Sequence, residues 1–157
     1  MKIFTPIALA AATAAVATVG LAATPAQAST TSSGCTVTPH VVRFYDYNAN
    51  NKKRVLLRVD IKCHNNRWIN LAQQGWEDDN TPNDTTDDRW YTKNQWVKVN
   101  ANTLHRVNTI TVMPDTPNDG AEELYQKARY RVRTIEQYPV TSEWTQWEST
   151  PYRTISN

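Results

Sequence analysis

The chain has 157 residues, 17 of them basic and 15 acidic, and so carries a formal charge of +2 at neutral pH. That balance excludes a general nucleic-acid binder, which needs a concentrated basic surface. The length supports one domain with a core of ordinary size, stable without metal or multiple disulfides.

Residues 1–28, "MKIFTPIALAAATAAVATVGLAATPAQA", read as a secretory signal: an early Lys2, an uncharged Ala/Val/Leu run, and a small-x-small Ala26-Gln27-Ala28 end. Thr and Gly interrupt the apolar run and no basic stop-transfer cluster follows, so no membrane span is expected after cleavage. The expected mature protein is extracellular and monomeric, with residues 29–33 as a flexible start and residues 34–157 as the domain. Its charge falls only to +1, because the signal contains Lys2 as its one charged residue. In an oxidising compartment the two cysteines, Cys35 and Cys63, are most simply one disulfide. A reactive thiol or a metal pair is the poorer reading, since no second Cys/His pair stands at ligand spacing.

The mature segment then alternates. "CTVTP" (35–39) and "VVRFYDY" (41–47) lead through the Asn-rich "NANNKK" turn to "KRVLLRVDIKC" (53–63). There Val55, Leu57, Val59, Ile61 and Cys63 share one face, while Arg54, Arg58, Asp60 and Lys62 share the other, which is the period of a half-buried strand. Further candidates follow at 67–73, 89–100, 104–113 and 125–137, and in the tryptophan-bearing tail from 141 to 155. Asp119 with Glu122 suggests one helical turn before the strand in which Lys127, Arg129, Arg131 and Arg133 share a face. Seven or eight strands joined by polar turns predict an all-β, antiparallel sandwich.

"C-T-V-T-P", a hairpin and "V-x-L-x-V-x-I-x-C" behind an alanine-rich export signal resemble the small secreted immunoglobulin-like sandwiches of high-GC Gram-positive bacteria. The resemblance spans residues 34–73 and implies architecture alone, because one such fold hosts many functions. The cysteine spacing is shorter than the intersheet bridge of true immunoglobulin domains, so the resemblance implies a bridge between early strands. Tyr125, after "NDG", is similar to a tyrosine corner without its following cysteine.

Between Trp76 and Trp90 lies "EDDNTPNDTTDD", with six carboxylates: Glu77, Asp78, Asp79, Asp84, Asp87 and Asp88. Its simplest reading is a solvated loop. Calcium is the alternative, with Asp78, Asp79, Asp84 and Asp87 as ligands, although the spacing does not follow the helix-loop-helix calcium signature. A glycosidase would need two of these acids at a defined separation, one of them buried, and the sequence specifies neither condition. There is no G-x-S-x-G, no H-E-x-x-H and no glycine-rich phosphate loop, and His40, His64 and His105 stand singly.

Six tryptophans exceed what a sandwich core uses. Val97 and Val99 take the inward parity and push Trp96 outward. Flat rings beside acids and amides suit sugar binding, so the expected function is a non-enzymatic binding module. Its contact surface is drawn from Trp76, Trp90, Trp96, Asp87 and Asp88, and its partner is an extracellular carbohydrate or a protein surface. The alternatives are a secreted inhibitor or toxin acting on another protein, and a carboxylate-dependent hydrolase. The basic row on 127–133 either meets an anionic partner or faces acids on its neighbouring strand.

Overall fold

The computed structural model describes residues 29–78, 87–113 and 121–156. Residues 1–28, expected to be a signal, Asp79 and Asp84 of the acidic stretch, and residues 114–120 lie outside them. Every described element is a strand: β1 (Thr30–Ser32), β2 (Cys35–Pro39), β3 (Arg43–Tyr47), β4 (Lys53–Cys63), β5 (Arg67–Glu77), β6 (Asp88–Val99), β7 (Leu104–Val112), β8 (Ala121–Thr134), β9 (Glu148–Ser149) and β10 (Arg153–Ser156). This count exceeds the seven or eight expected. Thr30–Ser32 pairs with β2 instead of forming a flexible start, and the tail supplies two short strands instead of one. Ala121–Glu123, expected in a helical turn, is extended.

All pairings between these strands are antiparallel, and they make two sheets packed face to face. In the first, β7 runs along one whole edge of β4, while β2 and β3 share its other edge, β2 against 59–63 and β3 against 53–56. In the second, β5 is central, flanked by β6 and β8, and β10 and β9 lie along the far edge of β8. Asn48 closes the β3–β4 hairpin: its Oδ1 accepts the amides of Asn50 and Lys52, each at 2.9 Å, and Asn51 takes a φ of 57°.

The core follows the alternation. Val55, Leu57, Val59 and Ile61 are fully buried, as are Ile69 and Leu71 opposite them and Leu124 and Tyr130 on β8. Cys35 and Cys63 occupy the same rung of the β2–β4 ladder and form the expected disulfide, with Cα atoms 4.0 Å apart. Tyr130 reaches from the second sheet and donates its hydroxyl to the Cys35 carbonyl at 2.7 Å. Tyr125 makes no such corner: its ring lies on the outer face against Trp76 and its hydroxyl goes to Asp87.

The apolar core falls into two clusters, one around the disulfide and one around Leu57 and Leu124. Gln73, Gln126 and Thr109 are also buried between the sheets and bond to one another. Gln126 also donates to the carbonyls of Arg58, at 2.9 Å, and His40. Those carbonyls lie where the β4 edge passes from β2 to β3. The Arg58 carbonyl also accepts the His40 amide at 2.9 Å, so the side-chain amide adds a bond from the opposite sheet where the edge changes partner.

Candidate functional site

The outer face of the second sheet carries most of the tryptophans. On β5 the outward residues are Trp68, Asn70, Ala72, Gln74 and Trp76, and register sets them opposite Arg133, Arg131, Arg129, Lys127 and Tyr125 of β8. Each cation of 127–131 meets a ring. Lys127 Nζ stands 4.1 Å from the Trp76 ring centre and 5.3 Å from that of Tyr125, and these two rings stack with centres 6.4 Å apart. The Arg129 guanidinium lies 4.8 Å from Trp144 and 4.6 Å from Trp147. Arg131 lies between Trp144 at 4.9 Å and Trp96 at 5.7 Å.

Trp144 and Trp147 are held there by the tail, which runs along β8 without forming a regular strand. Ser142 and Thr145 donate their amides to the carbonyls of Val132 and Tyr130, each at 2.8 Å. Their hydroxyls accept the amides of the same two residues, at 2.9 and 3.0 Å. Three tail residues are thus laid against two of β8, and the tryptophan two places after each anchor reaches the arginines. Beneath this layer Asn70 and Ala72 face outward yet are only 7% and 5% exposed. Small residues on the central strand let the long side chains close over them.

The cations of this face make no ion pair with a carboxylate among the described residues; they face rings instead of the neighbouring acids considered above. The Nε atoms of Arg129 and Arg131 are buried without a hydrogen-bond partner. A cation over an indole is worth roughly 0.5–1 kcal/mol when exposed and about 2 kcal/mol when desolvated. The layer is therefore packing as well as surface, and it is positively charged.

At one end it opens. Trp68 and Trp96, 38% and 43% exposed, are diagonal neighbours on β5 and β6. With Arg133, Thr134, Glu136 and Pro139 they line an open groove of about 470 Å³. Two exposed rings beside a guanidinium, a hydroxyl and a carboxylate can stack on a sugar face and bond its hydroxyls.

The five residues expected to form one surface do not converge. Trp96 is outward, as its parity required, and stands beside the groove. Trp76 lies six positions along β5 from the partner of Trp96, about 20 Å away at strand rise. Trp90 turns inward against the core cluster around Leu57 and Leu124. Gly75 pairs with Tyr91 and Trp76 with Arg89, so Trp90 is the extra residue of a bulge and loses the parity it would share with Trp96. Its ring lies on Gly75, where a Cβ would come within 2.6 Å of it, so the position requires glycine. Asp88 is exposed and pairs with Glu77 at the end of the ladder.

Asp87 accepts the Tyr125 hydroxyl, and burial together with that carboxylate raises the phenol far above its ordinary pKa. Of the four residues considered for calcium, Asp78 places its amide on the Glu123 carbonyl at 2.8 Å, and Asp87 is engaged with Tyr125. Among the described residues, no three His, Cys, Asp or Glu side chains gather as a metal-holding group. The groove residue missed in the sequence is Trp68; its signal was its outward parity opposite the last arginine of the basic row.

Of the three histidines, His40 takes part in a network on the outer face of the first sheet. Asp60 accepts Arg106 Nε at 2.9 Å and faces His40 Nε2 at 3.1 Å, while Arg58 Nη2 reaches His40 Nδ1 at 2.8 Å. This array ties the segment at His40 to β4 and β7.

Compared with known proteins, the chain matches no family model, no curated protein and no solved structure.

Proposed function

We propose that the protein is a secreted, non-enzymatic binding module of the immunoglobulin-like kind, taking extracellular carbohydrate on the outer face of its second sheet. The observation that carries this reading is the exposed Trp68–Trp96 pair at the rim of a polar groove. Trp76, Trp144 and Trp147 each have a cation within 5 Å of the ring centre, whereas Arg131 stands farther from Trp96, at 5.7 Å, and the exposure of Trp68 and Trp96 draws the contact to the groove. This shifts the surface from the acidic stretch to the end of the sheet where β5 begins and β6 finishes.

The test is depletion of the protein, residues 29–157 with its disulfide intact, on purified cell walls and insoluble polysaccharides. Retention that falls about tenfold in Trp68→Ala and in Trp96→Ala, but persists in Trp76→Phe, is the expected result. No retention on any polysaccharide, or equal retention by a Trp68/Trp96 double variant, overturns the reading.

A further inference from the structure

A second cleft lies between the sheets at the opposite edge of the sandwich, where β3 of the first sheet approaches β10 of the second. It measures about 550 Å³. Its walls include Phe44 and Tyr47, 46% and 53% exposed, with ring centres 5.3 Å apart in an edge-on pair. Ile155 forms part of its lining, and three cations surround it: Arg43, Lys53 and Arg153.

The local sequence explains this composition. In "RFYDY", residues three apart would point to opposite faces of a regular strand. Phe44 pairs with Val55 and Asp46 with Arg54, so Tyr45 is the extra residue of a bulge. The bulge restores Phe44 and Tyr47 to one side, facing the cleft, and turns Asp46 to the other, where it pairs with Arg54. The acid of the strand is thereby spent elsewhere, and no carboxylate lines the cleft among the described residues. Lys53 donates to the Ser156 carbonyl, which holds it at the cleft wall. Arg43 and Arg153 have no acidic partner among the described residues.

The geometry points to a binding site for a phosphate monoester carried on a ring. Two guanidinium groups and an ammonium match a compact dianion, since arginine forks bind phosphate oxygens in pairs. The two exposed rings supply a flat apolar wall for the body that carries the phosphate. This site is distinct from the tryptophan groove and stands whether or not that groove binds sugar.

Phenyl phosphate is the probe. Titrated into the protein at low salt and followed by calorimetry and amide NMR, it is expected to bind saturably with shifts centred on β3 and β10. Inorganic phosphate is expected to bind about tenfold more weakly, and the Phe44→Ala variant should lose that difference. Arg43→Gln and Arg153→Gln, both at exposed positions, should each weaken phenyl phosphate about tenfold or more. Absence of saturable binding, equal affinity for the two probes, or unchanged affinity in the Arg43/Arg153 double variant overturns the assignment.

Discussion

Gln73 donates a 2.8 Å hydrogen bond to Gln126 in the space between the two sheets, between two apolar clusters. Gln126 in turn serves carbonyls of the opposite sheet, so these amides tie the layers together where apolar contact is interrupted. Gln126→Leu strands the carbonyl of His40 and the amide of Gln73. A loss of about 2–4 kcal/mol is expected from urea unfolding. Because the two side chains share one network, the Gln73→Leu/Gln126→Leu double variant should lose less than the sum of its singles.

The tryptophans divide by what lies against them. Trp144 serves two arginines, so Trp144→Leu should lower stability by about 1–3 kcal/mol, visible as a lower Tm. Trp68 stands at the groove, 38% exposed, and Trp68→Ala should leave Tm nearly unchanged while lowering the proposed polysaccharide retention about tenfold. If both variants lose stability equally, the division of the face into packing and contact is wrong.

Asp60 and His40 make the fold acid-sensitive. The hydrogen bond from Arg106 is the main cause holding the Asp60 carboxyl below its ordinary pKa; burial, and then Arg58, depress His40. A depressed folded-state pKa means stability that is present above the unfolded value and lost on acidification. His40 should cost stability as pH falls from about 6.5, and Asp60 as it falls from about 4. Asp60→Asn removes the second loss and, by taking away the one charge that raises His40, moves the imidazole titration lower still. Proton NMR of His40 against pH reads this directly.

Tyr130, like Tyr125, makes the fold sensitive to alkali. Burial pushes its hydroxyl up to about 12. Its raised folded-state pKa means the unfolded chain gives up the proton first, so stability falls as pH rises from about 10. Tyr130→Phe should cost about 1 kcal/mol near neutrality and show a flatter decline above pH 10, measured by urea midpoints.

Much of the fold was legible because β4 alternates with Leu56 as its one exception and the two cysteines leave one pairing. What could not be read was the effect of single inserted residues. Trp90 and Trp96 are six apart and share parity in the sequence, but a bulge at Trp90 sends the first into the core. Another at Tyr45 brings Phe44 and Tyr47 to the same side. The tail was read as a strand, yet its hydroxyls take over carbonyl positions, an exchange that leaves no period-two pattern. Tyr125 shares the parity of Lys127, Arg129, Arg131 and Arg133, so the alternation that put Tyr130 inside also put Tyr125 on the outer face.

The disulfide closes a loop within one sheet instead of joining the two, and this has a mechanical consequence. Tension applied at Ser29 reaches Cys35, crosses directly to Cys63 and leaves residues 36–62 slack. The oxidised protein therefore withholds about 95 Å of contour length, at extended-chain spacing, from any extension. At the other terminus the tail lies antiparallel along β8, so its bonds are loaded one after another, as in a zipper. Rupture should begin at β10 and travel toward Trp144, while the length finally released reports whether the bridge is closed.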